Sequence, residues 1–572
     1  MAFFEFNIAM SGLFAAQRGL QVTSNNITNA ATKGYSRQLL SQQASTPLSG
    51  LGVGMTGTGV STTGVNRVRD SYIDQKLWSH NPKYGEYNIK VTQNSMIESA
   101  FGEPSDTGFT AVFNNVFNGI SNLSMDPSSA ENKVVVKEQL VSFAKYYNNI
   151  AGTLSNYQQN LNFDLKNTVN EINSLSTRIR SLNEQIMNAE IYGDEASSFR
   201  DERDNCLDRL SQIINIDVEE TEYQVKGNTV KKLTVKAAGQ VLVDHVNCNT
   251  LNIEVREEKK QASDVDGLYD IVWSNGLSFD MSDSNMSGEL KGLLDMRDGA
   301  GTGTDNTYNG IPYYMERLDT YVQKFAKTMN EEYSKTADGF IQINNCTIKG
   351  TVASYMKRDD AGNMTFYDEN KTVIAMANQA DDGTMKIVRP DGTDMGLTPE
   401  ETDKICNGYS TKYALFTYST GHSSGAPVGA DALTDYSQLT AANFYISKEL
   451  FDDPTSMRTL YDESNPSDTS FMLNLLAQKD NKHMFKEGDP KDYMVSIFAE
   501  LGINAKEAEM YQDTQTAVVQ NLTNQRLSVS QVDTSEEFTY LIQYQQAYQA
   551  AAKVMTTIDE IYETTIFKLG NF

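Results

Sequence analysis

Long hydrophobic runs, basic charge and paired cysteines are all scarce in this 572-residue chain. No stretch of about eighteen apolar residues occurs, which excludes a membrane-spanning helix. Lys and Arg number 48 against 75 Asp and Glu, a net charge of -27. A nucleic-acid partner needs a basic surface and is excluded; binding to a membrane surface is disfavoured for the same reason. The four cysteines, Cys206, Cys248, Cys346 and Cys406, stand far apart without a CxxC pair. That is neither a disulfide framework nor a zinc knuckle, and reads as isolated buried thiols. His80, His245, His422 and His483 have no second histidine at ligand spacing, and neither HExxH nor a Walker loop is present. The start, Met-Ala-Phe-Phe-Glu-Phe, lacks a basic region and a small-residue cleavage site after an apolar core, so no cleaved secretory signal is expected.

Charge is scarcest at the amino end, where residues 1–60 carry only Glu5, Arg18, Lys33 and Arg37. A helix that replaces charge by Asn, Gln, Ser and Thr expects its polar face to be covered as well. Phe6, Met10, Leu13, Gln17, Leu20, Ser24 and Ile27 advance by four and three alternately, a heptad seam. At the other end Leu541, Tyr544, Tyr548, Ala551, Met555, Ile558, Tyr562, Thr565 and Leu569 keep the same rule. Two seams at opposite ends predict that the termini pair. Their tyrosines read as seam residues, not as a stacking platform for sugars or bases.

Helical stripes recur between them: Phe113 to Ile120, ended by Asp126-Pro127; about Ser129 to Tyr192; residues 199–214; and Met315 to Met329. Residues 216–281 and 339–429 instead show short β-branched runs broken by turns at Gly227-Asn228, Ala361-Gly362-Asn363, Asp382-Gly383 and Asp391-Gly392. The expected fold is mainly α with β-rich insertions: terminal helices paired as a coiled coil, a long-helix bundle and two outer β-rich modules, with helix resuming near Asp435. The expected division is 1–60 with 533–572 as terminal core; 61–215, 301–336 and 436–532 as helical scaffold; 216–300 as a β-rich domain; and 337–435 as a variable β-rich insertion.

Chemistry is not legible. "VDGLYD" fails as a calcium loop, with Ala262 and Trp273 at its first and twelfth positions. "GLGVGMTGTGV", residues 50–60, neither follows a clear buried strand nor opens a helix, and reads as a connector or a short glycine-rich hairpin. "RDERD", residues 200–204, reads as the charge lacing of an exposed helix face. No enzyme activity, metal or cofactor is expected.

One resemblance is specific. "AMSGLFAAQRGLQVTSNNITNAATKGYSRQ", residues 9–38, resembles the amino-terminal signature of the flagellar rod, hook and hook-associated axial proteins, carried by Asn25, Asn26, Asn29, Gly34, Tyr35 and Arg37. "EEFTYLIQYQQAYQAAAKVMTTIDEIYETTI", residues 536–566, is similar to the matching carboxyl-terminal signature. "GTGVSTTGVNRVRDSYID", "RDERDNCLDRLSQI", "GELKGLLDMRD" and "TAANFYISKELFDDPTSM" resemble the hook-associated protein 1 subfamily. The resemblance implies a structural junction protein of the bacterial flagellum, forming a ring of its own copies between hook and filament. It implies as partners the hook protein, a second hook–filament junction protein and an export chaperone at the carboxyl-terminal helix. It also implies type III export without cleavage and an extracellular place. The implied assembly seam is Phe6, Met10, Leu13, Leu20, Ile27, Leu541, Tyr544, Tyr548, Met555, Ile558 and Tyr562. The alternatives are a hook or rod subunit, which "RDERD" and "GELKGLLDMRD" oppose, and an exported enzyme or adhesin acting through residues 337–435.

Overall fold

The structure, a computed structural model, describes the chain except residues 1, 51–53, 103–104, 106–107, 193–195, 226–227, 280–285, 360–361, 380–383, 422–424, 463, 466–467 and 569–572. Helix α1 (Ala2–Asn29) is followed by a ribbon of strands β1 (Gln38–Ala44), β2 (Leu48–Gly50), β3 (Gly54–Thr56) and β4 (Val60–Arg67). β1 pairs antiparallel with β4, from Gln38↔Arg67 to Ala44↔Val60, and β2 pairs with β3. The glycine-rich stretch is therefore a hairpin, with 51–53 outside the described residues.

Helices α2 (Ser71–Phe101), α3 (Phe109–Met125), α4 (Ala130–Glu190) and α5 (Ser197–Ile213) come next. Asp70 caps α2 by accepting from Tyr72 N–H, and Ser129 caps α4 by accepting from Asn132 N–H. With 61 residues, α4 is about 90 Å long at the usual helical rise. One buried stripe runs along it: Leu140 to Leu161 lies in the body core that also holds α3 and α7, and Leu165 to Ile179 lies in the core of the first β module.

That module contains β5 (Ile216–Val225), β6 (Asn228–Ala237), β7 (Gln240–Asp244) and β8 (Asn247–Cys248), hydrogen-bonded in chain order, then the pair β9 (Leu251–Val255) and β10 (Tyr269–Trp273). Val225 faces Asn228 across the expected turn; Gly227 lies outside the described residues. Helices α6 (Glu289–Asp298) and α7 (Ile311–Tyr333) return to the body. The second module has β11 (Ile341–Ile348), β12 (Thr351–Arg358), β13 (Met364–Tyr367), β14 (Val373–Gln379), β15 (Met385–Val388), α8 (Pro399–Asn407) and β16 (Ser410–Thr411). Its sheet order is β15-β14-β13-β12-β11-β16, with its own core of Met356, Phe366, Ile387 and Tyr409. Gly362 and Gly392 take positive φ at the expected turns, while Ala361, Asp382 and Gly383 lie outside the described residues.

Helix does not resume at Asp435. Strands β17 (Phe416–Tyr418) and β18 (Phe444–Ile446), short turns and α9 (Lys448–Asp452) intervene before α10 (Ser470–Ala477). The reason is packing: Phe416 and Phe444 stack at 4.9 Å inside the body's aromatic core, and only an extended pair delivers both rings there. Cys346 and Cys406 are buried as expected, but Cys206 and Cys248 are half-buried. Helices α11 (Pro490–Ser530) and α12 (Thr534–Glu563) close the chain; α11 lies on α2, and α12 packs along α1. The fold is mainly helical with antiparallel sheets, and its termini do pair. No helix among the described residues is long and apolar enough to cross a membrane.

Candidate functional site: the terminal helix pair and the loop at its base

The two terminal helices run antiparallel, with Asn26 beside Glu537 and Gly19 beside Tyr544. A Cβ at Gly19 would come within 2.5 Å of the Tyr544 ring, so the glycine is the hole that receives this knob. Ala9, Ala15, Ala16, Thr23 and Asn26 are the other covered positions of α1. Phe6, Met10, Leu13, Leu20 and Ile27 lie beside that small-residue strip and are half-buried. On α12, Leu541, Tyr544, Met555 and Tyr562 are half-buried, Tyr548 is exposed and Ile558 is buried. Leu569 lies outside the described residues.

The polar end of α1 is a built joint. The Asn26 amide donates to Gln38 O at 2.8 Å and to Glu537 Oε2 at 3.1 Å. Its carbonyl accepts from Gln38 N–H at 3.0 Å and from the Tyr35 hydroxyl at 2.8 Å. All four bonding directions of the side chain are filled, which only an amide can do here. Asn29 donates to Asn25 O at 3.0 Å and Oδ1 at 2.9 Å, closing the last helical turn. Gly34 has φ +81, and a Cβ there would collide with the Asn205 side chain of α5; a left-handed backbone and a close approach both demand glycine. Arg37 holds Glu537 at 2.8 Å and Glu536 at 3.0 Å, and its N–H donates to Ser530 O at 2.9 Å. Burial, with the carboxylates of Asp201 and Glu537, pushes the Tyr35 phenol up to about 12.

Beneath the loop lies an ionic cluster. Ser36 donates through N–H and hydroxyl to Asp201, at 3.0 and 2.7 Å. Arg67 binds Asp201 at 3.0 Å and Asp204 at 2.6 Å. Arg69 clamps Asp74 at 2.7 and 3.0 Å, and Arg526 of α11 reaches Asp208 at 2.7 Å. Burial opposes the charge on Asp204, but Arg67, Arg69 and Arg203 outweigh it and hold the carboxyl below its ordinary range. On Asp208 burial wins, and its carboxyl lies above that range despite Arg526.

This corrects the reading of "RDERD" as exposed lacing: Asp201, Arg203 and Asp204 are buried, and only Glu202 keeps an exposed partner, Arg178. The partners Arg67 and Arg69 come from more than a hundred residues away, so the local pattern could not reveal them. The available signal was spacing: Asp201, Asp204 and Asp208 share one helix face, and Arg67 and Arg69 point to one side of an extended segment. The loop signature, by contrast, is brought together as a unit, uniting α1, α5, α11 and α12.

Three family models match the chain. "Flagellar hook-associated protein FlgK helical domain" covers residues 94–339, "Flagella basal body rod protein" residues 6–35, and "Flagellar basal body rod FlgEFG protein C-terminal" residues 523–566. The chain is 26% identical to flagellar hook-associated protein 1 of Bacillus subtilis over 99% of this chain and 98% of that one. It is 24% identical to that of Escherichia coli, over 98% of each chain. A solved structure, the flagellar hook junction protein FlgK from Burkholderia pseudomallei, has a TM-score of 0.48 and 16% identity, covering 80% of this chain and 100% of that one. The rod-family matches fall on the paired terminal helices and the helical-domain match on the body, and the relatives that match from end to end are of one kind: over its whole length this chain is similar to flagellar hook-associated protein 1.

Proposed function

We propose that the chain is a subunit of the hook–filament junction, in which copies stand in a ring with their terminal helix pairs lining the tube and their β modules outward. The observation that carries this reading is the unfinished burial of the terminal pair. Of the 30 residues of α12 only Glu537 and Ile558 are buried, while Phe538, Ile542, Val554 and Ile561, with Phe14 of α1, face outward. Neighbouring copies would cover such a surface. The assembly seam is then the set Phe6, Met10, Leu13, Leu20, Ile27, Leu541, Tyr544, Tyr548, Met555, Ile558 and Tyr562, held in place by the loop signature. We keep the division into a terminal core of 1–60 and 533–572, a helical scaffold of 61–215, 301–336 and 436–532, a β-rich domain at 216–300 and an insertion at 337–435; the separate core of Ile341 to Tyr409 supports the insertion, while Leu415, Phe416 and Leu433 join the body core and Leu165 to Ile214 the core of the first β module. The hook protein below, a second junction protein above and a chaperone on the carboxyl-terminal helix during export complete the set of partners.

Gly19→Leu tests the reading. The new side chain must overlap the Tyr544 ring, parting α1 from α12, and it touches nothing in the three cores. Isolated chain should melt as the parent does, while cells shed their filaments. Retained filaments and normal swimming would overturn the proposal.

A further inference from the structure

The ribbon β1–β4 is out of character with the rest of the molecule. In a chain with 22% charged residues, residues 38–66 contain no Asp, Glu, Lys, Arg or His. Among the described residues, none of their side chains belongs to any of the three cores. β1 and β4 form a two-stranded sheet, so each has one unpaired edge; apart from Arg67 at the ribbon's base, which is engaged by Asp201 and Asp204, neither strand carries the charged residues that usually protect an edge. One side of the ribbon rests on α1: the Val60 N–H donates to Ser11 Oγ at 3.1 Å, and Arg18 donates to Thr62 Oγ1 at 3.4 Å. Gly59, at φ +104, lets the backbone lie on Ser11, where a Cβ would collide. Elsewhere on the ribbon Leu39 (45%), Leu48 (58%) and Met55 (76%) are exposed. A two-stranded ribbon of this kind is marginal in water unless something packs on it.

Resting on the ring arrangement proposed above, we infer that the ribbon of one copy lies along the outward face of α12 in the next copy. Three observations select that occupant. Residues 538–552 of α12 are likewise free of charge, so neither surface strands a charge when the two meet. The lengths are comparable: the end of β1 and the start of β2 carry Leu39 to Leu48 over at most roughly 30 Å, and Phe538 to Ile561 covers roughly 35 Å of helix. The heights agree as well. The Arg37–Glu537 pair ties the ribbon's base to the start of α12, and Val60 beside Ser11 shows the ribbon running toward the start of α1, alongside α12 toward its end. Copies related by rotation about one axis keep these heights, so ribbon and helix meet in register. Pairing between the ribbons' own edges is ruled out by size. Strands must approach to about 4.8 Å, whereas each copy interposes a helix pair whose axes alone lie about 8–10 Å apart.

Cells co-expressing two single variants, Met55→Cys and Ile561→Cys, give the test, with intact flagella treated with a mild thiol oxidant. Separate chains make any product between the new thiols inter-chain, and each variant expressed alone controls for Cys206 and Cys248. The expected product runs at twice the 63.6 kDa of the chain, at least tenfold above either variant alone. Leu39→Cys with Phe538→Cys should give the same product at the ribbon's base. Filaments that stay attached with no dimer from either pair would overturn the ribbon contact and leave the ring reading standing. A cross-link to a chain of another mass would overturn the choice of a second copy. Filament retention that does not depend on this chain at all would instead remove the ring reading.

Discussion

Two helical regions of this molecule are built on opposite plans. In the body, Phe113, Phe143, Tyr147, Tyr321 and Phe325 are almost wholly buried; Phe143 alone lies 5.2 Å from the rings of both Tyr147 and Phe325. Along the terminal pair the covered residues of α1 are alanine, glycine, threonine and asparagine, and the large side chains are half-buried or exposed. The body buries its own apolar surface and is a finished fold. The pair brings two backbones close and leaves its large residues for others to cover. Helical pattern by itself therefore does not say whether a helix is stable alone; what matters is where its large side chains find partners.

Amide hydrogen exchange on dilute isolated chain would break or sharpen this contrast most sharply. Amides of α4 should exchange only through global opening, and those of 2–29 and 534–563 through local fraying, with protection lower by several orders of magnitude. Equal protection in both regions would mean that the terminal pair is already a finished unit. In assembled flagella the terminal amides should become protected as well.

A pair of substitutions asks the same question energetically. Phe143→Ala removes a ring from a filled core and should cost about 3–5 kcal/mol, read as a large drop in the unfolding midpoint. Phe538→Ala removes a ring of similar size from an exposed site and should move the midpoint by no more than about 0.5 kcal/mol, while weakening filament retention. A stability loss at Phe538 comparable to that at Phe143 would erase the distinction.

The joint between the regions should respond in between. Arg67→Ala leaves Asp201 and Asp204 buried with fewer cations, and removing one member of a buried pair is costly. Because Arg69 still faces Asp204 at 3.4 Å, we expect about 2 kcal/mol. Protease cleavage within residues 30–37 should rise, because Ser36 is held through the same Asp201. Unchanged cleavage would show that the loop is held by Asn26 and Arg37 alone.

Much of this contrast was legible in the sequence, and what was not has a physical cause. The limits of α4 follow from its unbroken 3.6-residue period and its serine cap, and the pairing of the termini follows from two heptad seams. The small-residue strip escaped notice because heptad reading follows large apolar residues, whereas Gly19 matters through the Tyr544 ring that fills its place. The acidic face of α5 was misread because i, i+3 charges look the same on a solvated helix and on a buried one. Only the position of Arg67 and Arg69 in the fold decides between them.

The smallest expected effect belongs to the body alone, through Asp319 of α7. Its carboxylate accepts the Ala441 N–H at 2.6 Å. The segment around Ala441 is held from other sides too, by Gln323 donating to Leu439 O at 2.8 Å and Asn148 donating to Ala441 O at 2.9 Å. No cation pairs with Asp319 among the described ion pairs. Burial pushes its carboxyl up to about 7; the Ala441 N–H pulls it back in part, and Glu316 adds to the rise. An unfolded aspartate titrates near 3.9, so the folded chain takes up a proton here. The ionised form thus weakens the fold above about pH 7; this penalty fades as pH falls toward 4 and is absent below. One pKa unit is worth about 1.4 kcal/mol, and partial exposure of the side chain discounts the shift to about 1 kcal/mol overall. Asp319→Asn keeps an acceptor for Ala441 without the charge. The variant should be more stable than the parent by about that amount at pH 8, with the difference shrinking to about a third at pH 5 and closing below pH 4. Filament retention should not change at either pH, because Asp319 lies in the body and not in the terminal pair. Parallel stability curves for parent and variant across that range would show that Asp319 is not held neutral by its surroundings.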